Sequence, residues 1–220
     1  MANDATATEK HREPRWPALL ATIAVGILFY AIPDTLTVGP SWLLFLVIAV
    51  LLIPVAISHE AKLSRMNEIF AYVVLSVTTL AVISSLGLLI ARLPLHKETP
   101  VELLRAAAAL WVGNLLVFAS WYWRLDGGGP NERDRRGVHT DGAFLFPQMI
   151  MDPALRQQMG EDKWSPGFID YLFLAFNTST AFSPTDVPVL SRWAKAMMMV
   201  QSLISLATLA LLAARAVNIL

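Results

Sequence analysis

Four consecutive polar residues interrupt an apolar stretch near the end of the chain, and they are the first candidates for chemistry. They occupy positions 177–180, directly after the apolar run 168–176 and shortly before a turn with two prolines. Amide and hydroxyl groups beside a break in a membrane helix are typical of ion and solute sites. The pattern therefore predicts a polar path. Its candidate residues are Asn177, Thr178, Ser179, Thr180, Asp186, Asn114 and Gln201.

A structural interpretation of the same residues remains open. A polar side chain inside hydrocarbon needs a partner, which is either a water-filled cavity or another helix. Four polar residues lie near one face of the last apolar segment at helical spacing: Gln201, Ser202, Ser205 and Thr208. A hydrated cavity that reaches Asn177 would favour a path, whereas a dry core would favour bonds between helices.

The elements that must position these residues are apolar blocks long enough to cross a membrane. The chain is 55% hydrophobic and only 15% charged, with a mean hydropathy of +0.53. We therefore expect an all-α fold, a polytopic transmembrane helix bundle of about six membrane segments. The fifth segment is short or broken, and re-entrant-like, because its second half is polar. The expected segments are 16–32, 41–58, 68–91, 101–123, 168–182 and 190–220.

The sequence predicts one membrane domain, residues 16–220, behind a flexible cytoplasmic tail, residues 1–15. A long polar loop at 125–166 separates the fourth and fifth segments. It contains a glycine run, a charge run at 131–136 that we expect to be solvated, and an apolar stretch at 144–151. That stretch is apolar enough to lie on the membrane surface or to dock under the bundle.

Basic residues concentrate on the cytoplasmic side of membrane proteins, which predicts the orientation. Six crossings with both termini in the cytoplasm place 12 of the 17 Lys and Arg residues inside. A segment 168–182 that dips in from the cytoplasm and returns would place 13 of the 17 inside, with the C-terminus outside. The charge count favours six crossings over a dip entered from outside, and the cytoplasmic dip remains open.

Several function classes are disfavoured by composition. The formal charge is zero, which argues against nucleic-acid binding, and the absence of cysteine excludes disulfides and thiolate metal sites. His139, Asp141 and Asp152 match no metal-ligand spacing. All four histidines lie in the tail or in loops. We therefore expect no enzyme, no catalytic residue, no metal and no cofactor.

Three stretches carry a resemblance to known proteins. Residues 123–130 (WRLDGGGP), 144–149 (FLFPQM) and 180–186 (TAFSPTD), with the Arg-Trp-Ala-Lys run at 192–195, resemble a group of uncharacterised bacterial integral membrane proteins. The resemblance implies a multi-pass protein of the bacterial inner membrane and no particular activity. The order of residues 171–189 is also similar to the pore module of potassium channels. Its carbonyl filter needs glycines, and residues 180–184 contain none.

Two functions follow as expectations. The first is a channel-like or transporter-like pore for ions or small solutes, formed by a homo-oligomer in the lipid bilayer. The alternative is a non-conducting accessory or scaffold subunit that binds a partner through the 125–166 loop.

Overall fold

A computed structural model describes residues 13–60, 64–93, 98–136, 139, 142–162, 164–180 and 186–217. Within these ranges the chain is helical and contains no β-strand, although Phe144 and Val189 form an isolated antiparallel bridge. The all-α prediction is confirmed. The helices are α1 (Trp16–Phe29), α2 (Ser41–Glu60), α3 (Ser64–Arg92), α4 (Pro100–Leu125), α5 (Pro130–Arg136), α6 (Pro147–Ile150), α7 (Pro153–Gln158), α8 (Phe168–Thr180) and α9 (Arg192–Val217).

Three of these helices, α3, α4 and α9, are long and apolar enough to cross a membrane. Helix α1 and the apolar part of α2 are shorter, and α8 has 13 residues, which corresponds to about 20 Å. The prediction of a membrane protein is supported by length and composition.

Helix α4 lies at the centre of the bundle, where it packs against α1, α3, α8 and α9. Its start is fixed by a capping box, because the Thr99 side chain accepts from the Glu102 amide and Glu102 accepts from the Thr99 amide. Buried Ala106, Ala107 and Ala109 let neighbouring helices approach closely.

Helices α8 and α9 run parallel to each other, and both are antiparallel to α4. The Ala175 carbonyl on α8 accepts a hydrogen bond from Gln201, and four residues further on the Ser179 carbonyl accepts one from Ser205. The contact positions therefore advance in the same direction along both helices. Against α4, the first residue of α8 packs on Trp123, while Phe176 packs on Trp111.

The parallel arrangement requires the chain to return between α8 and α9. Ser205 lies 13 residues beyond Arg192, about 20 Å along α9, and it bonds the penultimate residue of α8. The chain is back at the start of α9 by Pro188, whose carbonyl accepts from the Leu145 amide at 3.0 Å. Six crossings would have required antiparallel α8 and α9, so the expected count of about six membrane segments is not confirmed. Residues 181–185 lie outside the described residues.

The described residues between α4 and α8, namely 126–136, 139, 142–162 and 164–167, form a cap over one end of the bundle. We call this end of the bundle the cap end. The start of α1, the end of α2 and the start of α3 also lie there. Phe144 and Phe146 dock under the bundle, since they are 1% and 3% exposed and pack edge-on against Tyr171. The outer part of the cap, α6 and α7, instead exposes apolar side chains. These are Ile150, Leu155 and Met159.

Candidate functional site

The centre of the predicted path is a buried hydrogen-bonded network around Gln201. This side chain is fully buried, with 0% exposure. Its amide nitrogen donates to the Ala175 carbonyl at 2.7 Å and to the Ser179 hydroxyl at 2.8 Å. Its amide oxygen accepts from the Tyr122 hydroxyl at 2.5 Å. Gln201 thus joins α4, α8 and α9, and its hydrogen-bonding groups are all occupied.

Hydroxyl groups extend this network toward the inner end of α8. Ser205 donates to the Ser179 carbonyl at 2.6 Å and accepts from the Trp111 indole at 2.9 Å. Ser202 donates to the Thr178 carbonyl at 3.2 Å, and the Thr178 hydroxyl bonds back to Leu174. The last carbonyls of a helix have no partner within the helix. Here α9 supplies that partner, which allows α8 to end inside the protein.

Asn114 belongs to the same network, as its sequence position in mid-span suggested. Its side chain is fully buried, and its amide nitrogen donates to the Gln201 carbonyl at 3.2 Å. Its amide oxygen has no hydrogen-bond partner among the described residues. Asn114 therefore contributes one interhelical bond and one unsatisfied acceptor to the core.

The other predicted path residues lie at the edge of this network or away from it. Asn177 and Thr180 are half-buried, and the Thr180 hydroxyl bonds back to the Phe176 carbonyl at 3.0 Å. In the described part of the chain the Asn177 side chain makes no hydrogen bond. Asp186 is exposed and lies two residues before Pro188, where the chain is back at the cap end. The structure thus brings together Asn114, Thr178, Ser179 and Gln201, and leaves Asn177, Thr180 and Asp186 outside the buried group.

A second cluster, built on Asp126, lies where α4 meets the cap. Asp126 is fully buried and accepts three hydrogen bonds. One oxygen accepts from the Ala143 amide, and the other accepts from the Tyr171 hydroxyl at 2.7 Å and from His139 Nε2 at 2.9 Å. Three donors around one carboxyl group favour its ionised form. The arrangement joins the end of α4, the inner part of the cap and α8.

Arg133, in α5, places a positive charge near the negative charge of Asp126. Its guanidinium donates to the carbonyls of Trp123 and Asp126, and it forms an ion pair with Glu13 at 2.6 Å. The side chains of Arg133 and Glu13 are 3% and 10% exposed. Arg15 pairs with Asp134 in the same region. The charge run at 131–136 is therefore partly buried, which corrects the expectation that it is solvated.

Three glycines shape the turn that carries Asp126. Gly127, Gly128 and Gly129 all have positive φ angles, which residues with a side chain rarely adopt. A Cβ atom on Gly129 would lie 2.7 Å from the Arg124 carbonyl oxygen. The turn ends α4 and lets α5 begin directly after it.

The Asp126 cluster has a structural role, because its hydrogen bonds hold the cap against α4 and α8. His139 is 6% exposed and Asp126 is 0% exposed, so neither side chain presents a group to a substrate from solution. No group of three potential metal ligands occurs in the described residues. Asp152, considered as a ligand from the sequence, instead caps α7 by accepting from the Ala154 amide at 2.9 Å, and Asp141 lies outside the described residues.

Sequence reasoning missed Asp126, Tyr171 and the Glu13–Arg133 pair. The signal for Asp126 was its place between an apolar helix and three glycines, which marks a sharp turn at a helix end. Glu13 and Arg133 are 120 residues apart, so no local pattern connects them.

Comparison with known proteins adds no constraint on these assignments. Neither a family model nor a curated protein nor a solved structure matches the chain. The resemblance of residues 123–130, 144–149 and 180–186 to bacterial membrane proteins remains a prediction.

Proposed function

We propose that this chain is a non-conducting membrane subunit that acts as a scaffold for a partner protein. The observation that carries the proposal is that the buried polar side chains are hydrogen-bonded to one another. Gln201 is completely buried, and its donors and acceptor are occupied by Tyr122, Ala175 and Ser179. A permeation path needs polar groups that water or an ion can reach, and these groups bond one another instead.

The cap supports the scaffold role because its two sides differ. The inner side is pinned to the bundle through Asp126 and Phe144, which are 0% and 1% exposed. The outer side presents Ile150 on α6, Leu155 on α7 and Met159 directly after α7. A rigidly held apolar surface beside the membrane is suited to hold a partner. This is the alternative function that the sequence suggested for the 125–166 loop.

The proposed membrane topology has five crossings, α1, α2, α3, α4 and α9, with α8 re-entrant from the cap end. The parallel α8 and α9 support it. Counted by position along the chain, 13 of the 17 basic residues then belong to the cap end. By the positive-inside rule we place the cap and the N-terminal tail in the cytoplasm of a bacterial cell, and the end of α9 outside the inner membrane.

A flux measurement on the reconstituted chain tests the proposal. The protein is inserted into liposomes and assayed for K⁺, Na⁺, Cl⁻ and proton flux, with a channel-forming peptide as positive control. The scaffold role predicts flux equal to that of protein-free liposomes. Selective flux that requires the protein would overturn it.

A pore between copies of the chain is the second candidate, and one observation favours it. Asn177 is half-buried on a face of α8 that continues outward to Phe173, which is 58% exposed. In a homo-oligomer, these faces would meet around an axis. The chain has no cysteine, so Asn177→Cys tests this contact directly. Oxidative cross-linking of Asn177→Cys in the membrane, together with flux abolished by Asn177→Leu, would replace the scaffold proposal with the pore.

A further inference from the structure

A cavity of about 340 Å³ lies among α1, α2, α3 and α4 at the cap end, away from the Gln201 network. Most of its lining is apolar, including Leu19, Leu52, Val74 and Leu75. The volume falls in the range of pockets that hold small ligands. An apolar cavity of this kind, partly open beside a membrane, has room for part of a hydrocarbon chain.

One charged side chain in the lining makes no direct ion pair with any described residue. Arg124, in the last turn of α4, is partly buried and lines the cavity. Within the described residues its guanidinium makes no hydrogen bond and no ion pair, and it lies 5.5 Å from the centre of the Trp123 ring. An arginine removed from water is costly unless an anion accepts its hydrogen bonds.

The other polar groups of the cavity are already engaged. Asn67 donates to the Val55 carbonyl, Ser120 to Leu116 and Thr22 to Ala18. Arg15 also lines the cavity and pairs with Asp134 at 3.0 Å. Tyr72 and Glu68 interact favourably with the Arg124 charge at longer range, whereas Arg15 and Arg133 repel it, and none of them forms a hydrogen bond with its guanidinium. Arg124 is thus the group in this cavity whose hydrogen-bonding capacity is left for a ligand.

We propose that the cavity binds an anionic phospholipid, with its phosphate at Arg124 and one acyl chain among α1, α2, α3 and α4. The arrangement matches both halves of such a molecule. Hydrocarbon fills the apolar part of the cavity, and the phosphate accepts hydrogen bonds from a guanidinium at the level where helices end. Trp16, 63% exposed at the start of α1, lies at the same level, as expected for an interfacial aromatic residue. This site goes beyond the scaffold role and does not depend on it.

Native mass spectrometry of the purified full-length chain tests the site. The protein is exchanged into detergent containing equal amounts of phosphatidylglycerol and phosphatidylcholine with identical acyl chains. We expect retention of phosphatidylglycerol to exceed that of phosphatidylcholine in the wild type. Arg124→Met should lower phosphatidylglycerol retention by about tenfold, as expected for a lost charge-assisted contact. Arg135→Met, at a cap position whose side chain is 73% exposed, is the matched control and should retain wild-type preference.

A second variant tests the acyl-chain half of the proposal and covers the case in which Arg124→Met fails to fold. Ala71 lines the cavity and is 6% exposed, so Ala71→Leu fills part of the space without changing charge. We expect lower retention of phosphatidylglycerol in this variant. Equal retention of the two lipids by the wild type, or unchanged phosphatidylglycerol retention in either variant, would overturn the proposal. Inorganic phosphate that displaces the bound lipid at millimolar concentration would assign the site to a soluble anion instead.

Discussion

The Ser205 hydroxyl donates a hydrogen bond to the backbone carbonyl of Ser179 at 2.6 Å. This contact places the end of α8 beside the middle of α9, although both helices start at the cap end. A helix that ends inside hydrocarbon leaves carbonyl groups without partners, which is costly. The polar face of α9 supplies those partners, so the polar residues that resemble a permeation path are explained by the need to end α8 within the protein.

Gln201→Leu should destabilise the bundle. The substitution leaves the Tyr122 hydroxyl and the Ser179 hydroxyl without their partner in a buried site. We expect a loss of about 1–3 kcal/mol in the free energy of unfolding. The measurement is SDS-induced unfolding of the purified protein. Met199→Leu, at a position 62% exposed on the same helix, is the control and should change stability little. Wild-type stability in Gln201→Leu would contradict the structural role of the network.

Glu13→Ala should destabilise the protein more than a surface substitution does, because it leaves the buried Arg133 charge unpaired. Loss of one partner of a buried ion pair costs about 3–5 kcal/mol. The double variant Glu13→Ala/Arg133→Met removes both charges and should recover part of that loss. Thermal unfolding of the wild type, the single variant and the double variant in one detergent measures this recovery. If the single and double variants unfolded at the same temperature as the wild type, the pair would not anchor the tail.

Tyr171→Phe should loosen the cap without disturbing the rest of the bundle. It removes the hydroxyl that donates to Asp126 at 2.7 Å and leaves one buried carboxylate oxygen with a single donor, His139. We expect faster amide hydrogen exchange in residues 142–146, since a lost buried hydrogen bond costs about 1–3 kcal/mol. Tyr30→Phe, at a position 55% exposed, makes the same chemical change outside the cluster. Equal amide hydrogen exchange of residues 142–146 in both variants would contradict the role of the Tyr171–Asp126 hydrogen bond in holding the cap.

Gly129→Ala and Gly160→Ala separate backbone strain from collision. Both glycines have positive φ angles, but only Gly129 has a neighbour, the Arg124 carbonyl oxygen at 2.7 Å from an added Cβ. Alanine at Gly160 should cost about 1 kcal/mol of strain. Alanine at Gly129 adds the collision and should impair folding, which is measured as the yield of monodisperse protein after membrane extraction. Similar yields for both variants would show that the turn can relax.

Sequence reasoning predicted the elements well and their directions less well. The apolar blocks, the capping box at Thr99 and the shared polar face of α9 depend on neighbouring residues, so local pattern identifies them. The direction of α8 does not, because a 13-residue segment fits a short crossing or a dip equally. The basic-residue count also differed by one between the favoured arrangement and the cytoplasmic dip.

The buried clusters show the same limit. Gln201 and Asn114 were recognised as polar residues in apolar segments, but their partners depend on how α4, α8 and α9 pack. Asp126 and Tyr171 are 45 residues apart, and they meet only because the start of α8 packs against the end of α4. Contacts of this kind follow from the tertiary structure and carry little local signal.

Single-cysteine accessibility in the membrane tests the central claim, a sealed bundle with a re-entrant α8. The chain has no cysteine, so Ser179→Cys and Asp186→Cys can each be probed with a membrane-impermeant thiol reagent from either side. Gln157→Cys marks the cap side, and Val38→Cys, at a position 71% exposed, marks the opposite side.

We predict no labelling of Ser179→Cys from either side, and labelling of Asp186→Cys only from the side that labels Gln157→Cys. Labelling of Ser179→Cys would show that water reaches the Gln201 network and would contradict the sealed bundle. Labelling of Asp186→Cys from the side of Val38→Cys would contradict the re-entrant helix and restore six crossings.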